Sequence, residues 1–422
     1  MGFMHSLYYF FGPYTDARER AVDLFFKSIQ ERKHQARSRI RLLKLVQRDI
    51  AVINLWTEYR YKGYRYLHKS QRKQLYANLD RITQDFDAYY SARKKPFASI
   101  QARIIAVAPR TNVGHDEIVV LQAIMDYFAP RRGTYEYRES SSFGRLLQDP
   151  ATFKLVGDCN QIVTLYIYMF SRYYDVSCLQ LRVLPEHVAL HYNGVDVEAT
   201  TSTFANYDKT KGQKIVPVEE IVSINLLDTT DAYLRTHEVS ATDFLQASRF
   251  AVALSYNQSI ARRNLKVAYS RLVVLMMKQH HHTQALRYAI ASRDTELIGA
   301  VGNNAAVHEM KRHNYKSALR FAKFAPDRDV LVLQIWRSMG MRYYKAQNYQ
   351  NAAQAFKRSK DVALIASCYK ALFFDEQAKL ARQPSTRSIK KYSVPIKRMH
   401  RYAKKSGNKQ LLKHANKLRR EL

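Results

Sequence analysis

The C-terminal part of the sequence repeats itself every 33 to 34 residues, and this period leaves few folds open. A period of that length is typical of helix–turn–helix units that stack on one another and bury a shared face. The repeated positions are small or capping residues, namely Ala285, Ala318 and Ala352, followed by Asp294, Asp327 and Asp361. We therefore predict three stacked helix pairs in this part of the chain.

The third repeat carries a fuller pattern. It reads Trp336-x2-Met339-Gly340-x2-Tyr343 and then Ala352-x3-Phe356, which resembles the tetratricopeptide repeat with Met339 where Leu is usual. Ala306 takes the place of Gly340 in the second repeat. The resemblance implies an α-solenoid whose groove binds a protein or peptide partner.

The middle of the chain has a different pattern. Gly157-Asp158-Cys159-Asn160 precedes an apolar run over residues 162–173 that predicts a helix, and residues 177–184 then read as a strand. Two alternating runs, 187–192 and 195–200, flank Asn193-Gly194. Because Asn-Gly between alternating runs is the strongest short-range signal for a β-hairpin, we predict antiparallel strands after the helix.

A two-residue turn determines which hairpin side chains share a face. The predicted register puts His191 opposite Asp196 and Glu198 diagonal to His187, with all four on one face. Cys159 lies at the predicted helix N-terminus, where the helix dipole stabilises a thiolate. A thiolate, an imidazole and a carboxylate are the components of cysteine-based acyl transfer. A cysteine on a helix also serves as a small buried apolar residue, which is the alternative interpretation.

This arrangement resembles the transglutaminase-like family, a branch of the papain-like cysteine-nucleophile enzymes, over roughly residues 116–204. The resemblance implies Cys159 as nucleophile, His187 as general base and acid, and Glu198 as the orienting carboxylate, with neither cofactor nor metal. Glu198 stands where Asp is commoner in the family. His191 with Asp196 remains the competing pair. The matching motifs are Gly157-Asp158-Cys159, Arg182-Val183, His187-Val188 and Glu198-Ala199-Thr200.

The formal net charge of +33 is distributed unevenly along the chain. Residues 1–110 carry net +13, residues 111–250 carry net −6, and residues 251–422 carry net +26. These changes, with the motifs, predict a basic helical region (1–110), a transglutaminase-like domain (111–235), helical repeats (236–383) and a basic C-terminal helix (384–422). The predicted fold class is multidomain and mostly α, with an α+β core that contains an antiparallel sheet.

Two basic segments suggest polyanionic partners. Tyrosines and cations alternate over Tyr59–Tyr66, a pattern that suits stacking on single-stranded bases, although these tyrosines could instead pack at a helix end. Residues 384–422 hold 13 Lys or Arg and one acidic residue. Both segments could contact nucleic acid or an anionic surface.

Other sequence features exclude several classes of protein. No apolar run is long enough for a membrane-spanning helix, and three cysteines cannot form a disulfide framework, so we predict a cytoplasmic protein. The triplet His280-His281-His282 falls in a predicted turn, and we predict no metal there because adjacent histidines diverge. Nucleotide-binding glycine motifs and paired-cysteine zinc motifs do not occur.

Two functions remain open after these observations. The first is a cysteine peptidase, amidase or protein-crosslinking enzyme whose substrate protein is presented by the repeats. The alternative is an inactive scaffold that binds protein partners through the repeats, with its basic ends on nucleic acid or an anionic surface.

Overall fold

A computed structural model describes residues 9, 11–29, 35–93, 96–109, 111, 113–140, 142–228, 239–382 and 389–421. The chain divides into two compact units, residues 1–268 and 269–422. The described residues are mostly α-helical, and their strands all belong to the first unit. The predicted mostly α, multi-unit architecture is confirmed at this level. No helix among the described residues has the length and apolar character needed to span a bilayer.

The first unit begins with helices that carry the basic N-terminal sequence. Asp16 caps α1 by accepting hydrogen bonds from the backbone N–H groups of Arg18 and Glu19. Helix α2 is interrupted at Asp49, whose carboxylate accepts from the backbone N–H of Val52 at 3.1 Å and so restarts the helix. The helices are α1 (Ala17–Lys27), α2 (Gln35–Tyr61), α3 (Lys69–Ala92), α4 (Phe97–Val107) and α5 (His115–Tyr127).

The strands follow these helices in the chain. Strands β1 and β2 form a short parallel pair, while the other five form an antiparallel sheet in the order β6-β5-β4-β3-β7. The described elements of this region are β1 (Tyr135–Tyr137), α6 (Phe143–Leu146), β2 (Leu155–Gly157), α7 (Cys159–Ser171), β3 (Gln180–Leu184), β4 (His187–Tyr192), β5 (Val195–Glu198), β6 (Thr203–Ala205), β7 (Lys214–Pro217), α8 (Glu220–Leu227), α9 (Ala241–Leu254) and α10 (Gln258–Lys278).

The predicted hairpin is confirmed with its register. Tyr192 pairs with Val195 and His191 pairs with Asp196. Asn193 and Gly194 have φ values of +44° and +88°, which is the left-handed backbone that a two-residue hairpin turn requires. The predicted helix over 162–173 is α7, which begins three residues earlier, at Cys159.

One hydrophobic core extends through the first unit from Tyr14 to Leu254. The Phe250 ring of α9, within the segment predicted to belong to the repeats, lies 5.0 Å from Phe26 and 4.9 Å from Tyr61 between ring centroids. The boundaries predicted at residues 110 and 235 therefore do not separate cores. Charged side chains lie mainly at the solvated surface, whereas compact units are defined by apolar packing. The boundaries predicted from charge therefore differ from those of the compact units.

Most of the segment Tyr59–Tyr66 packs inside the first unit and does not face solvent. Helix α2 ends at Tyr61, and Gly63 has φ +73°, which turns the chain. Tyr61 and Tyr64 are both buried. Their rings are therefore not available as a platform for bases in this conformation, and the interpretation of tyrosines packed at a helix end fits the structure.

The second unit consists of helices paired along the chain. The repeat alanines are all fully buried at helix contacts. Asp294 and Asp361 each cap a helix by accepting from the backbone N–H three residues later at 3.1 Å, while Asp327 precedes its helix without that bond. The helices are α11 (His282–Ser292), α12 (Thr295–Lys311), α13 (Tyr315–Ala322), α14 (Arg328–Lys345), α15 (Tyr349–Arg358), α16 (Val362–Ala381), α17 (Ile389–Ser406) and α18 (Lys409–Arg420).

Small residues allow these helices to approach closely. A Cβ added at Gly340 would lie 2.6 Å from ring carbons of the buried Phe356, which explains the glycine in this position. The predicted basic C-terminal helix is two helices within the described residues, α17 and α18, because Gly407 at φ +66° reverses the backbone between them. Residues 384–388 and 422 of this predicted segment lie outside the described residues.

Candidate active site

Cys159 is held at the first position of a buried helix. Strand β2 leads into Asp158, which caps α7 by accepting from the backbone N–H groups of Asn160 and Gln161. The Gln161 side chain in turn accepts from the Asp158 N–H at 2.9 Å, which completes a capping box. The Cys159 thiol therefore lies within the first turn, at the positive end of the helix dipole. Cys159 is buried, with 6% of its surface exposed.

Two tight turns bring a histidine and a carboxylate to this helix end. Strands β3 and β4 pair Leu184 with His187, so His187 is the first residue of β4 after a two-residue turn. Glu198 is the last residue of β5, the neighbouring strand. His187 Nε2 donates to Glu198 Oε2 at 2.7 Å. The diagonal contact predicted from the hairpin register is present.

The His187 imidazole and the Cys159 thiol line the same cavity and interact electrostatically. Hydrogen bonds to Cys159 and then to Glu198 raise the pKa of His187 to about 10, although burial opposes the shift. Because Nε2 is engaged by Glu198, Nδ1 is the ring nitrogen left for the thiol. His187 is thus a cation at neutral pH, between a sulfur and a carboxylate.

The Glu198 carboxylate accepts hydrogen bonds from more side chains than the sequence pattern predicts. The Thr200 hydroxyl donates to Oε1 at 2.6 Å, and the Tyr207 hydroxyl donates to Oε2 at 2.9 Å. Burial acts to raise the pKa of Glu198, but the hydrogen bonds from His187 and Thr200 together lower it below its ordinary value. The sequence gives no signal for Tyr207, because this residue follows β6 in a loop and belongs to no recognisable motif.

The competing pair has a different environment. His191 Nδ1 and Asp196 Oδ1 lie 2.7 Å apart, and the buried Arg182 donates through Nε to the same oxygen at 2.9 Å. Asp196 Oδ2 accepts from the Tyr207 backbone N–H at 2.7 Å. Both members of the pair are buried, and neither lines the cavity that contains Cys159. His191 and Asp196 therefore form part of a structural ion-pair network across β3, β4 and β5.

Cys159 and His187 open on a cavity of about 770 Å³ in the first unit. Its walls combine apolar side chains such as Val216 and Ile224 with polar groups that include Asp158 and Asp228. A cavity of this size accommodates a peptide side chain or a small acyl donor. Glu198 lies behind His187 and is not among the lining residues.

Known proteins offer no guide to this site. No protein-family model matches the sequence, and no curated protein is found to be similar to it. The geometry of the site is therefore the only indication of its chemistry. A thiol and an imidazole line the cavity, and a carboxylate lies behind the imidazole.

The capping residue gives the site a pH-dependent stability. Desolvation and then the neighbouring Asp228 carboxylate raise the pKa of Asp158 to about 7, against about 3.9 in an unfolded chain. The folded state binds this proton more tightly, so its stabilisation is fully present below about pH 4 and is lost as the pH rises through 7. We expect Asp158→Asn, which keeps a capping side chain, to be about as stable as the parent at pH 5 and more stable at pH 8.

Urea unfolding of both proteins at the two pH values measures this difference. Asp175→Asn, at an exposed N-cap outside the cavity, is the matched control and should leave the pH dependence unchanged. An Asp158→Asn variant whose stability follows the parent's at both pH values would contradict the assignment.

Proposed function

We propose that this protein is a cysteine acyl-transfer enzyme of the transglutaminase-like kind. The observation that carries the proposal is that Cys159 and His187 line one cavity while Glu198 is hydrogen-bonded to His187 at 2.7 Å. A buried structural cysteine would need neither a histidine on the same cavity wall nor a carboxylate that orients that histidine.

The geometry supports a two-step reaction. The Cys159 thiolate attacks the carbonyl carbon of an amide, and the backbone N–H groups at the start of α7 are donors available to the developing oxyanion. The His187 imidazolium gives its proton to the departing amine, and a thioester remains on Cys159. Neutral His187 then takes a proton from water or from a second amine, which attacks the thioester, and the C–S bond breaks to restore the Cys159 thiolate beside the His187 imidazolium. Water makes the enzyme a peptidase or amidase, and an amine makes it a crosslinker.

The cavity wall favours a positively charged substrate. Five acidic residues line it, among them Glu139, Glu186 and Asp228, against Arg145, Lys214 and the cationic His187. The chain's overall positive charge therefore does not extend to this cavity, and a substrate segment carrying Lys or Arg would enter a favourable potential. In this proposal the helix pairs of the second unit bind the protein that carries the segment.

Acylation by a simple ester tests the proposal without knowledge of the substrate. We expect p-nitrophenyl acetate to release one equivalent of nitrophenolate rapidly and then to turn over slowly. Mass spectrometry of the quenched burst should locate the acetyl group on Cys159. His187→Ala should lose the rapid burst, since attack by Cys159 on the ester would then no longer be assisted.

Cys178 is the matched control within the chain, because it is exposed and has no histidine partner among the described residues. Acetylation of Cys178 in preference to Cys159, or a burst that survives in Cys159→Ser, would refute the proposal. The second unit would then carry the remaining predicted function, that of a scaffold.

A further inference from the structure

A cluster of histidines in the second unit has the composition of a metal site. His280, His282 and His308 present ring nitrogens that all lie within 4.8 Å of one another. His282 Nε2 lies 2.9 Å from His308 Nδ1, and the ring of His308 stacks on that of His280 at 4.6 Å. Glu309 adds a carboxylate whose Oε1 is 3.9 Å from His282 Nε2 and 3.7 Å from His308 Nδ1.

Local backbone geometry explains how these residues meet. Helix α10 ends at Lys278, and His280 adopts a left-handed φ of +58°. The N–H of His281 donates to the carbonyl of Met276 at 2.8 Å, which closes the turn before α11 begins at His282. His308 belongs to the end of α12. The cluster therefore links three consecutive helices.

The sequence suggests a different grouping. His281, the centre of the triplet, is not part of the cluster, and the third imidazole comes from His308 in the following helix. Three adjacent histidines cannot all face one ion, but these three are not adjacent. His280 and His282 are alternate residues of the turn, and His308 comes from another helix.

The distances suit a small tetrahedral ion. Bonds of about 2.0 to 2.1 Å to nitrogen or oxygen place tetrahedral ligands about 3.4 Å apart, and the separations of 2.9, 3.7 and 3.9 Å lie on both sides of that value. His282 is buried, and its Nδ1 has no hydrogen-bond partner among the described residues. The hydrogen bond of Nε2 with His308 thus satisfies only one of the two ring nitrogens of this buried imidazole.

We propose that His280, His282, His308 and Glu309 bind one divalent transition metal of the zinc class, which stabilises the first helices of the second unit. Three imidazoles and a carboxylate match the ligand preference of Zn²⁺. Ligands drawn from a turn and two helices would make the ion structural. It would replace the proton that His282 and His308 share.

Titration with Co²⁺ tests this proposal on the full-length chain. The protein carries Cys159→Ser, so that the thiol cannot bind the ion, and is first dialysed against a chelator. We expect one equivalent of Co²⁺ to give the visible absorption of a tetrahedral nitrogen and oxygen site, and Zn²⁺ to displace it. His308→Gln should weaken binding at least tenfold, whereas His281→Ala should leave it unchanged.

Thermal unfolding supplies a second readout. Zn²⁺ should raise the Tm of the parent and of His281→Ala but not that of His308→Gln, since only binding to the folded state stabilises. His280→Ala, at an exposed position, gives the same test should His308→Gln fail to fold. Failure to bind one equivalent, or equal binding by the His281 and His308 variants, would overturn the proposal.

Discussion

Replacing His187 by alanine is expected to slow alkylation of Cys159 by iodoacetamide at pH 6.5 by between roughly tenfold and a hundredfold. The thiolate is the reacting species, and a thiol with an ordinary pKa of about 8.5 is only about 1% ionised at that pH. In the parent protein a positive charge lies on His187, which interacts with the sulfur. The variant keeps the helix N-terminus but loses this cation.

The pH dependence of the effect has a definite sign. Because the pKa of His187 is raised to about 10, its positive charge persists through neutral pH and disappears as the pH rises through that value. The rate advantage of the parent over His187→Ala should therefore be greatest in mildly acidic solution. It should shrink toward unity as the pH rises through about 10, because the imidazole then loses its proton and an ordinary thiol is itself ionised.

Peptide mapping after short exposures measures the alkylation of each cysteine separately. His191→Ala is the matched control, because it removes the other histidine of the same hairpin and should leave Cys159 almost as reactive as before. Cys178, which is exposed, provides an internal standard in every sample. Equal slowing in the two histidine variants, or slowing in neither, would contradict the role assigned to His187.

Features of this site that depend on neighbouring residues could be predicted from the sequence. Asn193-Gly194 specifies its turn locally, and the turn determines which hairpin residues share a face. Asp158 followed three residues later by Gln161 is a local helix-start signal, which is consistent with Cys159 at a helix N-terminus. Short-range stereochemistry is sufficient for both predictions.

Features that depend on packing between distant segments could not be predicted. Tyr207 supports Glu198 from a loop, and Phe250 joins the core of the first unit by contacting Phe26. His308 lies 2.9 Å from His282 only because consecutive helices pack side by side. Such contacts follow from tertiary structure, and no local period or spacing in one sequence records them.

Replacing the carboxylate by an amide should mainly reduce stability in the His191–Asp196 pair of the hairpin and mainly reduce the reactivity of Cys159 in the His187–Glu198 pair. Asp196→Asn is expected to lower the free energy of unfolding of the first unit by about 3 kcal/mol, because the buried Arg182 would lose its buried carboxylate partner at 2.9 Å and keep only the exposed Asp208 at 2.7 Å. Glu198→Gln should cost only about 1 kcal/mol, since its partners other than His187 are neutral hydroxyl and N–H donors. Urea unfolding followed by the fluorescence of the buried Trp56 measures both values.

For the acylation of Cys159, the Glu198→Gln variant should show the larger loss and the Asp196→Asn variant the smaller one. An amide at position 198 would turn an N–H toward donors that now face a carboxylate, so His187 would lose its orientation and the acylation of Cys159 should slow on the order of a hundredfold. The Asp196→Asn variant would leave His187 and Glu198 in contact, so its acylation rate should stay within about threefold of the parent's below the unfolding transition. A destabilised and unreactive Asp196→Asn beside a stable and reactive Glu198→Gln would reverse the assignment of catalytic and structural pairs, because each variant removes the carboxylate from one imidazole and leaves the other pair intact.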